Sequence, residues 1–231
     1  MSVRPLVATL EFAAVTALPK GESLAQIRAY RPTDRESVYD ICLRTGDNGD
    51  DATAEYTNRE LLGSVYAGAY VDLRPELAFV LDDGDRAIGY VLGADDTLAF
   101  EAECETAWWP GLRERFPLGS EREDSADAAM IRLIHRPEVT PAKLASLYPA
   151  HLHIDILPAG QGAGLGGALI RRLLAELTER GVPAVHLGVS AANTRAIGFY
   201  EHLGFERLGA ESGVPAHETV FGMRLQGLSG H

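Results

Sequence analysis

One segment, His151 to Arg180, constrains this 231-residue chain more than any other. His151-Leu152-His153-Ile154-Asp155-Ile156-Leu157 alternates polar and aliphatic residues, the period of a strand with one apolar face. Pro158-Ala159-Gly160 ends it, and Gln161-Gly162-Ala163-Gly164-Leu165-Gly166-Gly167 follows. From Gly164 to Arg180 the spacing predicts a helix, with Ile170, Leu173, Leu174 and Leu177 as its apolar stripe and Arg171, Arg172, Glu176 and Glu179 facing water. Gly181 stands where a helix C-cap glycine belongs, and Pro183 prevents continuation. A glycine-rich turn between strand and helix lets backbone N–H groups converge on a ligand, and the helix N-terminus adds about half a positive charge. That combination predicts a phosphate or pyrophosphate site.

The flanking sequence predicts a mixed α/β sheet. Strands are expected near 27–30, 77–81, 87–93, 151–157, 185–189, 205–208 and 219–225. The apolar runs at 77–81 and 87–93, separated by Asp82-Asp83-Gly84-Asp85, read as a hairpin. Helices are expected at Arg35 to Arg44, capped by Thr33 or Asp34, at Glu55 to Val65, and after Asn193. Residues 95–150 are charged and proline-rich and contain Trp108-Trp109-Pro110. They read as a helical excursion from the sheet, near 97–107, 124–133 and 141–147. Residues 1–25 read as an N-terminal extension and 26–231 as one domain carrying that insertion.

Composition excludes several classes. With 21 Lys+Arg against 33 Asp+Glu the net charge is −12, and no basic run offsets it, so neither nucleic acid nor an anionic membrane is an expected partner. No apolar stretch is long enough for a membrane-spanning helix. Cys42 and Cys104 lack a C-x-x-C context and read as free thiols of a reducing, cytoplasmic setting. Gly162, Gly164 and Gly167 also fit G-x-G-x-x-G, but Ser190-Ala191-Ala192 puts no acid where a dinucleotide ribose needs one. No G-K-[ST] follows, which excludes a P-loop.

Gln161-x-x-Gly164-x-Gly166 resembles the Q/R-x-x-G-x-G/A loop of the GNAT N-acetyltransferases, which grips the pyrophosphate of acetyl-CoA. Asn193-x-Arg195-Ala196-Ile197-x-Phe199-Tyr200-x-x-Leu203-Gly204-Phe205 resembles that family's N-x-x-A-x-x-F-Y-x-x-x-G-F segment. Tyr39 to Gly46 and His151 to Leu157 are similar to bacterial homologues of the C-terminal acetyltransferase-like domain of O-GlcNAcase. The resemblance implies a GNAT fold: a central, largely antiparallel sheet flanked by helices. It implies acetyl-CoA as donor, held by residues 161–167 (Gln161, Gly162, Ala163, Gly164, Leu165, Gly166, Gly167). Backbone N–H groups at Ile156 and Leu157 would meet the thioester carbonyl, Asn193 would hold the CoA arm, and Tyr200 would both contact the cofactor and protonate the sulfur. The acceptor is expected to be a small-molecule or peptide amine, acetylated directly in a ternary complex. The alternative is a CoA-binding or interaction module without transfer. Homodimers are common in the family.

Three further readings come from the residues themselves. Asp155 lies on the polar face of its strand and is the candidate base, with His153 and His151 beside it to relay a proton. His151-x-His153-x-Asp155 also has ligand-type residues in a row, but no C-x-x-C or H-E-x-x-H accompanies it and no metal is expected. Asp47, Asp50 and Asp51 form an acidic loop suited to a cationic amine, or equally to a solvated turn.

Overall fold

The computed structural model describes residues 25–215 and 217–225, so the expected extension 1–25 lies outside the described residues apart from Ala25. The alternating segment becomes β4 (Ala150–Ile156), the middle strand of a seven-stranded sheet. The other strands are β1 (Gln26–Ala29), β2 (Ala78–Asp82), β3 (Ala87–Ala94), β5 (Ala184–Gly188), β6 (Glu206–Leu208) and β7 (Val220–Arg224), in the order β1-β2-β3-β4-β5-β7-β6. Every neighbouring pair is antiparallel except β4 with β5. β4 pairs with β3 from Ala94–His151 to Gly89–Ile156. It pairs with β5 only at Ala150–Val185 and His151–His186, after which the two strands part.

Helices cover both faces. On one lies α8 (Leu165–Glu179), whose Leu169, Ile170, Leu173, Leu174 and Leu177 are buried against β2, β3 and β4. Burying each such side chain stabilises the fold by about 2 kcal/mol. The other face is packed by α1 (Arg35–Arg44) and α3 (Gly68–Leu73), with α2 (Leu61–Tyr66) packed against α1. Between β3 and β4 run α4 (Thr97–Glu103), a wider turn at Cys104–Trp108, α5 (Trp109–Arg115), α6 (Ala126–His135) and α7 (Ala142–Leu147). This is the helical excursion expected at 95–150, extended to residue 115 because the wider turn joins α4 to α5 just before Pro110, which has no N–H to donate. A ninth described helix, α9 (Thr194–His202), follows β5.

Two local expectations are corrected. The helix expected at Glu55 to Val65 starts only at Leu61. The buried carboxylate of Asp127, in the first turn of α6, accepts the N–H groups of Thr57 (3.1 Å) and Asn58 (3.0 Å), while Asn58 Oδ1 accepts from Glu60 N–H. These bonds hold residues 57–60 in a turn, which competes with the helix. Asp34 precedes α1, but its carboxylate does not cap it. It accepts the Arg31 N–H (2.8 Å) and two Arg28 guanidinium nitrogens (2.6 and 2.8 Å), and Arg28 also reaches Asp82 (2.6 Å). Arg28 holds the Asp34 carboxyl below its usual range.

The polar face of β4 is half-buried. His151 is enclosed, its Nδ1 2.8 Å from Thr97 Oγ1 and its Nε2 2.7 Å from Tyr70 Oη, and burial pushes its pKa down to about 3. Its place is therefore structural.

Asp127→Ala removes the acceptor of two backbone donors and should cost about 1–2 kcal/mol in chemical denaturation; an unchanged midpoint would contradict this account of residues 57–60. His151 has an acid-side consequence as well. Because its folded pKa of about 3 lies below the unfolded value of about 6.5, the unfolded chain binds the extra proton between them. The associated stability is complete above the unfolded pKa and lost as pH falls towards the folded one, on the order of 3 kcal/mol by pH 4. His151→Gln should make the decline of the melting temperature between neutral pH and pH 4 shallower; an identical slope would rule His151 out as a cause.

Candidate active site

Where β4 and β5 part, a cleft of about 500 Å³ opens, lined by Ile154, Asp155 and Ile156 of β4, by Gly188 to Ser190, and by Gln161, Gly162 and Gly166 of the glycine turn. Asn193, Arg195, Phe199 and Tyr200 close it from α9, and Cys42, Tyr66 and the Asn48–Gly49 turn close it from the opposite face.

The glycine turn divides into two parts. Gly162 (φ +86°) and Gly164 (φ +75°) have left-handed backbones that favour glycine, and a Cβ at either would meet no atom within 4 Å. Gly166 and Gly167 serve packing instead. A Cβ on Gly166 would lie 3.2 Å from both Ile156 and Phe199, and one on Gly167 3.3 Å from Leu203. No acceptor among the described residues takes the backbone N–H groups from Gly162 through Gly167, Ala163 and Leu165 included. Unpaired donors at a helix start form a cradle for an anion.

Gln161 holds the turn in place. Its Nε2 donates to Ile156 O (2.7 Å), and its Oε1 accepts from Arg195 Nη1 (3.0 Å), so one amide ties the end of β4 to α9. Arg195 is thereby brought to the cradle. It brings a cation that the motif reading passed over, although it stands two positions after Asn193. Asn193 caps α9 through Oδ1 to Ala196 N–H (3.0 Å), which leaves its Nδ2 as the donor available to the cleft.

Ile156 and Leu157 differ. Leu157 donates its N–H to Ile88 O (2.9 Å), which corrects its expected place as a free donor. Donors alternate between the two edges of an antiparallel strand. The N–H groups of Ile156 and Ile154 therefore point to the edge that β5 has left.

The acid side of the cleft is built on Tyr90, which is fully buried. Its hydroxyl donates to Asp155 Oδ2 at 2.5 Å and lies beside the Cys42 thiol. His153 Nε2 is 3.0 Å from the same carboxylate oxygen, lacks hydrogen-bond geometry to it, and is buried without another partner. Burial pushes the Cys42 thiol up, and the charge of Asp155 adds to this, so it remains a thiol. Cys42, His153 and Asp155 bring their ligand atoms within 4.8 Å, a different trio from the row suggested by the alternation, because both ring nitrogens of His151 are engaged elsewhere. Tyr90 and Cys42 were not legible as site residues: both lie in apolar stretches, and Tyr90 meets Asp155 across 65 positions.

Tyr200 is buried among Phe199, Phe205 and Phe221 and lines the cleft, and burial together with Asp155 pushes its phenol up. Asp47, Asp50 and Asp51 are exposed and line neither this cleft nor its neighbour. Asp51 accepts Thr53 N–H (2.8 Å), and the loop approaches the cleft through Gly49, against Arg195. The expected place of these three acids beside the acceptor is corrected accordingly. Of the two tryptophans, Trp108 donates to Ser64 O (3.0 Å) and braces α2, whereas Trp109 lines a second cavity.

Known proteins share this architecture. A crystal structure of SsHAT superposes with a TM-score of 0.79 at 45% identity, covering 87% of this chain and 98% of that one. The O-GlcNAcase of Rattus norvegicus is 27% identical over 201 residues, covering 86% of this chain and 22% of the relative. The chain thus spans about a fifth of the length of those relatives (22%). The mycothiol acetyltransferase of Beutenbergia cavernae is 47% identical over 64 residues, 27% of this chain and 22% of that protein. Residues 47–205 match the Acetyltransferase (GNAT) family. With its parted strands, glycine cradle and Asn193–Phe205 segment, the chain belongs to the GNAT acetyltransferase family, whose acetyl donor is acetyl-CoA.

Proposed function

We propose that this chain, through a domain spanning 26–231, transfers acetyl from acetyl-CoA directly to an amine within a ternary complex. The observation that carries the reading is that one cleft holds both an anion cradle of unpaired N–H groups and, beside it, Asp155 and Tyr200. The residues present fit the donor. Gly162 to Gly167 and Arg195 would hold its pyrophosphate, Asn193 Nδ2 its pantetheine arm, and the N–H of Ile156 its carbonyl oxygen as that oxygen gains charge. Acetyl-CoA supplies an activated acyl group on a good leaving sulfur.

The remaining steps belong to the protein. Asp155, oriented by Tyr90, takes a proton from the acceptor ammonium, with His153 beside it as the second proton-carrying group. Tyr200 keeps its proton at neutral pH because burial raises it, and can hand it to the departing sulfur. Direct transfer is favoured over an acetylated enzyme by the state of Cys42. It is the cysteine that lines the cleft, and it is held as a thiol rather than the thiolate needed for attack.

The test is two-substrate kinetics on an amine that turns over, followed by thiol release. Intersecting lines are expected, with Cys42→Ala turning over within about threefold of the parent. Asp155→Asn should lower kcat by about 100-fold and Tyr200→Phe by at least about tenfold, with the acetyl-CoA KM little changed. Parallel lines, or loss of activity in Cys42→Ala with retained acetyl-CoA binding, would instead indicate an acetyl-enzyme. Acetyl-CoA binding without turnover on any amine would leave a CoA-binding module.

A further inference from the structure

Beyond the parted strands lies a second cavity of about 590 Å³, which shares Tyr66, His153 and Gly188 to Ser190 with the first. One wall is the sheet and the other is the inserted helical segment, so most of its surface is apolar: Tyr70, Phe100, Trp109, Leu133 and Leu152. At its junction with the first cavity stands His153, whose buried Nε2 has no hydrogen-bond partner. Among the described residues, neither lysine nor arginine lines it. Three carboxylates do. Glu105 is tied to Arg113 by two bonds of 3.0 and 3.1 Å. Glu101 accepts only the Thr140 N–H (3.0 Å), and Glu138 is exposed; among the described residues neither meets a cation. Both lie on the inserted segment, outside the GNAT motifs.

We propose that this cavity is the acceptor subsite and that its substrate is a dication: a primary amine at one end of an apolar chain, with a second positive charge at the other. The proposal rests on the acetyl-transfer reading and extends it to a substrate class. The reacting amine enters past His153 to Asp155, the apolar chain lies along the aromatic wall, and the far cation meets Glu101 and Glu138. An acceptor with an anionic far end would bring like charges together, and one with a polar body would leave its hydroxyl or amide groups facing the aromatic wall without partners. In the reaction the acceptor ammonium gives up one proton to the base, its nitrogen forms the new N–C bond, and the C–S bond breaks; the sulfur leaves as a thiol with the proton from Tyr200, and the second proton that the nitrogen loses as the neutral amide forms returns to the Tyr200 oxygen. The far cation is unchanged.

Hexamethylenediamine, hexylamine and ε-aminocaproate share the reacting amine and the spacer and differ only in the far group. Binding to the CoA-saturated protein is measured by calorimetry, and turnover with acetyl-CoA by thiol release. The diamine should bind about tenfold more tightly than hexylamine, with ε-aminocaproate weakest. Glu101→Gln combined with Glu138→Gln should bring the diamine to within about twofold of hexylamine while leaving the acetyl-CoA KM unchanged. Equal binding of the three probes, or a diamine preference that survives in the double variant, overturns the proposal even if amines are acetylated. The expected binding order without thiol release from any probe keeps the subsite and overturns the transfer reading instead.

Discussion

The separation of β4 from β5 is the constraint on which the site depends. Two parallel strands that pair only at Ala150–Val185 and His151–His186 leave the donors of Ile154 and Ile156 without a ladder partner. Unpaired backbone groups inside a fold are costly unless water or a ligand meets them. The same separation lets a ligand pass between the strands, so cleft and cavity meet at His153. Parting stops at His151, which is fixed to Thr97 and Tyr70 and whose ring lies tilted against that of His186, 5.8 Å between centroids. The neutral His151 thus marks the hinge of the opening.

Charge explains how the cradle is built. A chain at −12 opposes an anionic ligand at long range. Its local answer uses backbone dipoles from Gly162 to Gly167, whose N–H groups no carboxylate among the described residues accepts, and the guanidinium of Arg195, held in place by Gln161. The global charge favours a cationic acceptor in the proposed subsite, since among the described residues Glu101, Glu105 and Glu138 line the cavity beyond the strands and no lysine or arginine does.

What could be read from the chain follows the range of the interactions. The strand at His151, the glycine turn and the α8 stripe are set within a few residues, so periodicity and spacing display them. The face of Asp155 was legible for the same reason, but its partners were not. Tyr90 and Cys42 reach it across the sheet, and nothing in an apolar stretch such as Ala87–Ala94 marks one tyrosine as polar. Leu157 looked equivalent to Ile156 because alternation reports side-chain direction; which N–H is taken depends on the register with β3. The late start of α2 depends on Asp127, 70 positions from Thr57. The acidic loop misled because Asp47, Asp50 and Asp51 are close in sequence to Asn48 and Gly49, which do line the cleft, while their own carboxylates face solvent.

The central claim is that unpaired backbone donors do the binding, those of the glycine turn together with those that the parting of β4 and β5 leaves at Ile154 and Ile156. Amide hydrogen exchange resolved by residue, with and without saturating CoA, tests it most directly. The account predicts that the amides of Gly162 to Gly167 gain strong protection on binding and that the Leu157 amide, already bonded to Ile88, changes little. CoA binding that leaves the amides of Gly162 to Gly167 exchanging as before would contradict it.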